Sequence, residues 1–390
     1  MLISIAYMLM LGMFLGWICR KMRLPALMGM IFTGIVLGPH VLDLIDGSIL
    51  TISADLRKIA LIIILTRAGL SLDLNDLKKV GRPAVLMCFV PACFEMAGMV
   101  ILAPKLLGIT LLDAAIMGSV VAAVSPAVIV PKMLKLMEEG YGTEKGIPQL
   151  ILAGASVDDV FVIVMFTAFT NLAQSGEFSA GSIAGIPVSI LLGIAAGAVI
   201  GIALAKYFEK VHIRDTAKVV IILCVAFILV TLEDSLKTAV PFSGLIAIMC
   251  VGIALQKKRN VVARRLSVKF NKLWVAAEIL LFVLVGATID MEYAVSAGAA
   301  AILLILGVLV FRMAGVLLCL LKTGLTMKER GFCMFAYMPK ATVQAAIGGV
   351  PLAMGLSCGN IVLTVAVLAI LITAPLGAFL IDLTYRKWLA

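Results

Sequence analysis

Charge and histidine are scarce in this chain of 390 residues. Only 14% of the residues are charged and 63% are hydrophobic, and the mean hydropathy is +1.17. So little polar surface cannot cover a soluble globule, and the composition therefore predicts a polytopic membrane protein. The only two histidines, His40 and His212, leave almost nothing for imidazole-based catalysis or metal ligation.

Paired cysteine motifs are also missing from the sequence. Eight cysteines lie almost entirely in apolar segments, with no C-x-x-C spacing and no histidine nearby at ligand spacing. That distribution is typical of small core residues and argues against a disulfide framework or a zinc site. We therefore predict no resident cofactor.

Apolar runs of roughly 17 to 25 residues, long enough to cross a bilayer, make up most of the chain. They predict an all-α polytopic fold with about thirteen transmembrane helices in one integral membrane domain, 1–390, with no soluble domain. The predicted spans are 2–19, 24–43, 56–71, 83–103, 109–136, 147–171, 181–206, 216–232, 238–256, 268–288, 295–321, 331–355 and 360–383.

The basic residues follow this division into spans. The formal net charge is +10, but no basic stretch carries interleaved aromatics, so nucleic acid is not a predicted partner. Lysine and arginine concentrate in the loops after the first, seventh, ninth and eleventh spans, and the loops between them are acidic or nearly uncharged. The positive-inside rule then places the N-terminus outside and the C-terminus in the cytoplasm, in a multi-pass protein of the cell membrane.

Two adjacent carboxylates, Asp158 and Asp159, lie inside the long apolar run from Ile147 to Asn171. Ionisable groups at that depth are costly, so their default interpretation is functional. The alternative is a soluble core helix with the acids at its surface, and the overall composition argues against it. On a helix, neighbouring residues project about 100° apart, so the two carboxylates take different roles.

Prolines interrupt two of the predicted spans. Ser125-Pro126 and Pro131 lie in the fifth span, and Pro339 and the Gly348–Pro351 stretch lie in the twelfth. Backbone groups freed at membrane depth must be buried in protein or line a cavity, so a matched pair of broken helices indicates a transport site. Spans separated by an odd number run in opposite directions, as inverted repeats require. Simple helix kinks are the alternative.

Few other ionisable groups lie deep in the predicted spans, and such groups are expected to face the protein interior and pair with each other. A cation and a proton could compete for the same carboxylate oxygens, since the aspartate pair titrates as a coupled unit. Further oxygen ligands could come from Ser125, Thr342 and the carbonyls freed at Pro126 and Pro339. A purely structural cluster is the alternative. The remaining buried ionisable residues are Glu95, Glu278, Arg312 and Lys340, with Arg67 marginal.

The seventh span carries Gly193, Gly197 and Gly201, a small-xxx-small pattern that allows close helix approach. It predicts tight packing within the chain or a dimer contact, in preference to ligand binding.

Five stretches carry a resemblance to a known superfamily, and the resemblance covers nearly the whole chain. The sequence resembles the monovalent cation:proton antiporters, and within them the NHA-type sodium/proton exchangers of the double-aspartate branch. The stretches are AVSPAVIVP at 123–131, EGYGTEKGIP at 139–148, SVDD at 156–159, PKATVQAA at 339–346 and AILITAP at 369–375.

The resemblance implies an antiporter fold of the NhaA/NapA type, a homodimer, and a six-helix core that moves as an elevator past the dimerisation part. By position, Asp159 would be the main carboxylate for cation and proton, with Asp158 its neighbour. Lys340 would compete with the cation, and Glu95 and Arg312 resemble a family ion pair. Ser125-Pro126 departs from the Thr-Asp-Pro version of another branch, and the role of Glu278 stays open.

We therefore expect a secondary transporter, and no enzyme, that exchanges Na⁺ or Li⁺ for H⁺ with the cation bound at Asp158 and Asp159. A potassium/proton exchanger is the alternative, because cavity size, which decides ion selectivity, is not visible in a sequence. From another class, an intramembrane aspartyl protease also needs two carboxylates, but its Tyr-Asp and Gly-x-Gly-Asp settings do not occur here. A structural or receptor membrane protein would not need broken helices beside buried charges.

Overall fold

Helices form every regular element in the described part of the chain. The structure, a computed structural model, describes residues 1–22, 24–72, 81–175, 180–236, 242–289 and 291–389. The helices are α1 (Leu2–Lys21), α2 (Ala26–Leu37), α3 (Gly47–Thr51), α4 (Ser53–Ser71), α5 (Arg82–Met87), α6 (Val90–Leu107), α7 (Leu111–Val121), α8 (Pro126–Glu139), α9 (Ile147–Ser175), α10 (Ala180–Lys210), α11 (Asp215–Leu236), α12 (Gly244–Lys258), α13 (Asn260–Ala287), α14 (Met291–Cys319), α15 (Met327–Ala336), α16 (Thr342–Ile347), α17 (Val350–Ala353) and α18 (Gly359–Trp388).

Within those residues, nine helical segments are long and apolar enough to cross a membrane. The other four predicted spans do not form a helix that is both long enough and apolar enough to cross a membrane. Helix α2 has only 12 residues, α4 carries four ionisable side chains, and the 331–355 run is divided into α15, α16 and α17. The start of the 238–256 span, at 238–241, lies outside the described residues. The count of thirteen stays a prediction.

The fifth predicted span is broken between α7 and α8. Pro126 has no backbone N–H, and it restricts the preceding residue to extended conformations. Ser125 accordingly has φ −93° and ψ 107°. The prediction that Pro131 also interrupts the span is wrong, because Pro131 lies inside the continuous helix α8.

The twelfth predicted span is broken twice. Residues 337–341, which contain Pro339, separate α15 from α16, and the Gly348-Gly349 pair separates α16 from α17. The two proline breaks meet, because the Ser125 N–H donates to the Pro339 carbonyl at 2.8 Å.

The chain divides into two compact units, each assembled from separate segments. The first consists of Met1–Leu56, Asn75–Val162 and Ile279–Ala390, and the second of Arg57–Leu74 and Ile163–Glu278. In the first unit α6 packs along both α7 and α14, and α18 packs against α15, α14 and α7. In the second unit α10 packs along α12.

The glycine pattern of the seventh span explains the contact between α10 and α12. A Cβ at Gly193 would approach the Ser243 carbonyl, and one at Gly197 would approach the Ala247 carbonyl. The absence of side chains therefore allows the two helices to touch through their backbones. This face of α10 packs within its own chain.

Candidate functional site

All the ionisable side chains predicted to form the site lie in the first unit, on helices or breaks that meet near the two prolines. Glu95 comes from α6, Asp158 and Asp159 from α9, and Arg312 from α14, and Lys340 lies in the break before α16. Each of the five is at most 7% exposed. Buried charges are tolerated only when they are paired and hydrogen-bonded, so the partners of each group decide what the site can do.

Asp158 is held in place through one of its two oxygens. Its Oδ2 accepts the Val124 N–H at 2.8 Å and lies 3.2 Å from Arg312 Nη2. The Val124 N–H is free for this contact because α7 has already ended. The broken helix thus supplies a backbone donor to the carboxylate, as expected of non-helical backbone at membrane depth. The other oxygen, Oδ1, is buried and has no hydrogen-bond partner among the described residues.

Glu95 pairs with both basic groups of the site. Its Oε2 lies 2.7 Å from Arg312 Nη1 and 2.6 Å from Lys340 Nζ. The ion pair expected between Glu95 and Arg312 is therefore present, and Lys340 joins it. Because Lys340 contacts Glu95 directly, its ammonium has a fixed carboxylate partner within the buried cluster.

Arg312 connects the charges to the broken backbone. Its Nε donates to the Tyr337 carbonyl at 2.6 Å, and its Nη1 donates to the Ala122 carbonyl. The guanidinium carbon also lies 5.4 Å from the centre of the Tyr337 ring. The Tyr337 hydroxyl fills the space beside Gly154, where an added Cβ would collide with it. This packing fixes the guanidinium between the two breaks.

Asp159 differs from its neighbour because no described residue forms an ion pair with it. It is 7% exposed, and its Oδ1 is buried without a hydrogen-bond partner in the described residues. The Ser125 hydroxyl is fully buried in the first break and likewise has no hydrogen-bond partner among the described residues. These oxygens, with Asp158 Oδ1 and Glu95 Oε1, are the unpartnered buried oxygens of the cluster that can accept a proton or a small cation.

The carbonyls expected to be freed by the prolines already have partners. Pro126 frees the carbonyl of Ala122, which accepts from Arg312, and Pro339 frees that of Phe335, which accepts the Met338 N–H at 3.3 Å. Each carbonyl oxygen has two lone pairs, so its role as a cation ligand stays a prediction. Thr342 is buried at the start of α16 and makes no hydrogen bond to either aspartate within the residues described.

Two polar residues at the crossing were not predicted as site residues. The Lys340 N–H donates to Thr373 Oγ1 at 2.9 Å, and Gln344 bonds to backbone groups of both breaks. A search for buried charge overlooks both side chains because they are neutral. An amide inside an apolar run, four residues after Lys340, was the available signal for Gln344.

Glu278 and Arg67 belong to the second unit. They interact electrostatically with each other there, Arg67 from α4 and Glu278 from α13.

Comparison of the sequence with known proteins identifies one family. The sequence profile of the family described as "Sodium/hydrogen exchanger, transmembrane" matches residues 9–386. The chain is 36% identical over 380 residues to sodium/hydrogen exchanger 9B2 of Mus musculus, covering 92% of this chain and 68% of the relative. It is 32% identical over 383 residues to sodium/hydrogen exchanger 9B1 of Homo sapiens, covering 94% and 73%. The chain thus spans about two thirds of the length of these relatives.

A solved structure shares the fold. The sodium proton antiporter MjNhaP1 from Methanocaldococcus jannaschii, determined at pH 8, superposes with a TM-score of 0.86 over 100% of this chain and 99% of that one. Its sequence is 20% identical, so the likeness concerns the fold.

Proposed function

Because the chain belongs to the sodium/hydrogen exchanger family and is a multi-pass membrane protein, we propose that it exchanges Na⁺ or Li⁺ for H⁺ at the buried Asp158–Asp159 pair. Asp159 is the residue that binds the cation and the proton in turn. Asp158 supplies a second oxygen, and the Ser125 hydroxyl a third.

The charge balance of the cluster carries this proposal. Three carboxylates, Glu95, Asp158 and Asp159, share the site with two bases, Arg312 and Lys340, so full ionisation leaves one negative charge in excess. Glu95 and Asp158 have basic partners, and the excess therefore falls on Asp159. A buried charge without a partner is costly, so Asp159 must hold either a proton or a cation.

Competition for the same oxygen couples the two ions. A proton on Asp159 neutralises the carboxylate and removes the attraction for a cation, and a bound cation displaces the proton. Exchange then requires only that the loaded site face each side of the membrane in turn. We propose elevator-type movement of the ion-binding part within a homodimer, with the N-terminus outside and the C-terminus in the cytoplasm.

Proton flux in proteoliposomes tests the assignment. Asp159→Asn keeps the size of the side chain and removes its charge, so it should abolish proton flux driven by a Na⁺ gradient. Asp158→Asn should retain part of the flux, because its oxygen is a secondary ligand. Asp382→Asn is the matched control, since Asp382 is a half-exposed carboxylate paired with Lys132. Undiminished exchange in Asp159→Asn would refute the site.

Li⁺ and K⁺ offered in the same assay define the selectivity. The proposal predicts flux with Na⁺ or Li⁺ that exceeds flux with K⁺, because carboxylate oxygens bind small hard cations strongly. Equal or greater flux with K⁺ would favour a potassium/proton exchanger.

A further inference from the structure

Three consecutive carbonyls at the end of α7 accept hydrogen bonds from side chains. The carbonyls at the C-terminus of a helix lack intrahelical partners, and in a membrane they need others. Here Ala122 accepts from Arg312, while Val121 and Ala123 accept from the amide of Gln344. The break in the fifth span therefore exposes none of these three oxygens.

Gln344 uses its whole amide in this arrangement. Its Nε2 donates to Val121 at 3.0 Å and to Ala123 at 2.7 Å, and its Oε1 accepts the Ala341 N–H at 2.8 Å. The side chain is completely buried. Turning the amide over would place its oxygen against two carbonyl oxygens, so only the observed orientation satisfies every group. One neutral side chain thus joins both broken helices.

This arrangement limits the oxygens that a cation can reach. With the three carbonyls occupied, the unpartnered buried side-chain oxygens at the aspartate pair and in the first break are those of Asp158, Asp159 and Ser125. Two of these are carboxylates, which carry a stronger field than a carbonyl dipole. The number and field strength of the ligands are among the factors that govern selection between Na⁺ and K⁺.

We propose that Gln344 is a positioning residue that determines cation preference, because it keeps the Val121 and Ala123 carbonyls out of the cation's coordination shell. The inference rests on the proposed function and adds to it the group that excludes weak-field ligands from the site. Without the amide donors, the two carbonyls would be free to turn toward the bound cation. The shell would then become larger and weaker, and it would suit a larger ion better.

Gln344→Met tests this directly, because methionine has a similar length and no donor. In proteoliposomes the ratio of the apparent KM for K⁺ to that for Na⁺ should fall by about tenfold, the scale expected when one or two buried hydrogen bonds are lost. Gln344→Asn retains the amide but is one methylene too short to reach both carbonyls. It should shift the ratio in the same direction by a smaller factor, and it serves if the methionine variant does not fold.

Gln256→Met is the matched control, since Gln256 is a buried glutamine on α12 in the second unit. It should keep the wild-type ratio. Thermal stabilisation of the purified variants by Na⁺ and by K⁺ gives a second readout that does not depend on transport.

Equal changes in both KM values, or none, would overturn the inference and make Gln344 a structural residue only. Absence of cation-driven proton flux in the wild type and in Gln256→Met would instead refute the proposed function.

Discussion

The contributions of single residues to this site are coupled, because Glu95 forms ion pairs with two basic side chains. Its Oε2 contacts both Arg312 and Lys340, and all three side chains are at most 1% exposed. Removing one member of a buried ion pair leaves the other uncompensated, at a cost of about 3–5 kcal/mol. Glu95 is therefore required to hold both bases in position.

A double-mutant cycle measures this coupling. We expect Glu95→Gln and Arg312→Ala each to lower the thermal stability of the detergent-solubilised protein, and the pair to show a coupling energy of about 1–3 kcal/mol. A parallel cycle on Lys132 and Asp382, a partly exposed pair at 2.6 Å, should give less than about 1 kcal/mol. Additive effects of the Glu95 and Arg312 substitutions would contradict the pairing.

The charged members of the site could be predicted from the sequence, and its neutral members could not. Asp158, Asp159 and Lys340 are conspicuous because charge in an apolar run has few explanations. Gln344 and Thr373 are neutral, and side chains of these types often form their hydrogen bonds within their own helix. Their contacts depend on where the two broken helices cross, and periodicity contains no information on that crossing.

At the scale of elements, a proline breaks a helix where the neighbouring backbone groups form hydrogen bonds outside that helix. The Ser125 N–H bonds across to Pro339, and the Val124 N–H bonds to Asp158. Pro131 has no such setting and stays inside α8. The positions of the two breaks at Pro126 and Pro339 were predictable, and the continuity of α8 was not.

A salt bridge connects the turn before α9 to the start of α15. Lys145 Nζ lies 2.9 Å from both oxygens of Glu329, which also accepts the Thr326 N–H at 2.6 Å. Partial burial alone would raise the pKa of Glu329, but the hydrogen bonds from Lys145 and Thr326 outweigh it and lower the pKa. The contact therefore favours the ionised carboxylate in the folded state.

The pH dependence of stability follows from that direction. A lowered folded-state pKa gives stability that is present above the unfolded pKa of about 4.3 and is lost as pH falls through the folded value. Glu329→Gln should lower the Tm at pH 7 and reduce the loss of Tm on acidification. Glu144→Gln, an exposed position in the same turn, is the control. An unchanged pH profile in Glu329→Gln would contradict the contact.

At the scale of the whole molecule, the first unit contains the complete predicted site, whose residues come from two separated segments of the chain, Asn75–Val162 and Ile279–Ala390. Membrane character and helical class were predictable because apolar length is a strong signal. The number of spans was less predictable, since α2 has 12 residues, α4 carries four ionisable side chains and α12 has 15 residues. Assembly of distant segments into one unit depends on packing that the span pattern does not specify.

The pairing of Lys340 with Glu95 has a consequence for the overall transport cycle. If Lys340 keeps its proton throughout, one cation replaces one proton at Asp159 and no net charge crosses the membrane. We expect Na⁺-driven proton flux to stay nearly constant when the potential is clamped at different values. A cycle that moved one charge would gain about 2.3 kcal/mol per 100 mV. Transport driven by the potential alone would show that the exchange is electrogenic.

The central claim is that Na⁺ and H⁺ compete for Asp159, and the most direct test counts protons released when Na⁺ binds to the purified protein in weakly buffered solution. The wild type and Asp382→Asn should release about one proton for each Na⁺ bound, because the cation requires the deprotonated carboxylate. Asp159→Asn should release none and should bind Na⁺ weakly. Tight Na⁺ binding without proton release in the wild type, or unchanged release in Asp159→Asn, would contradict the account.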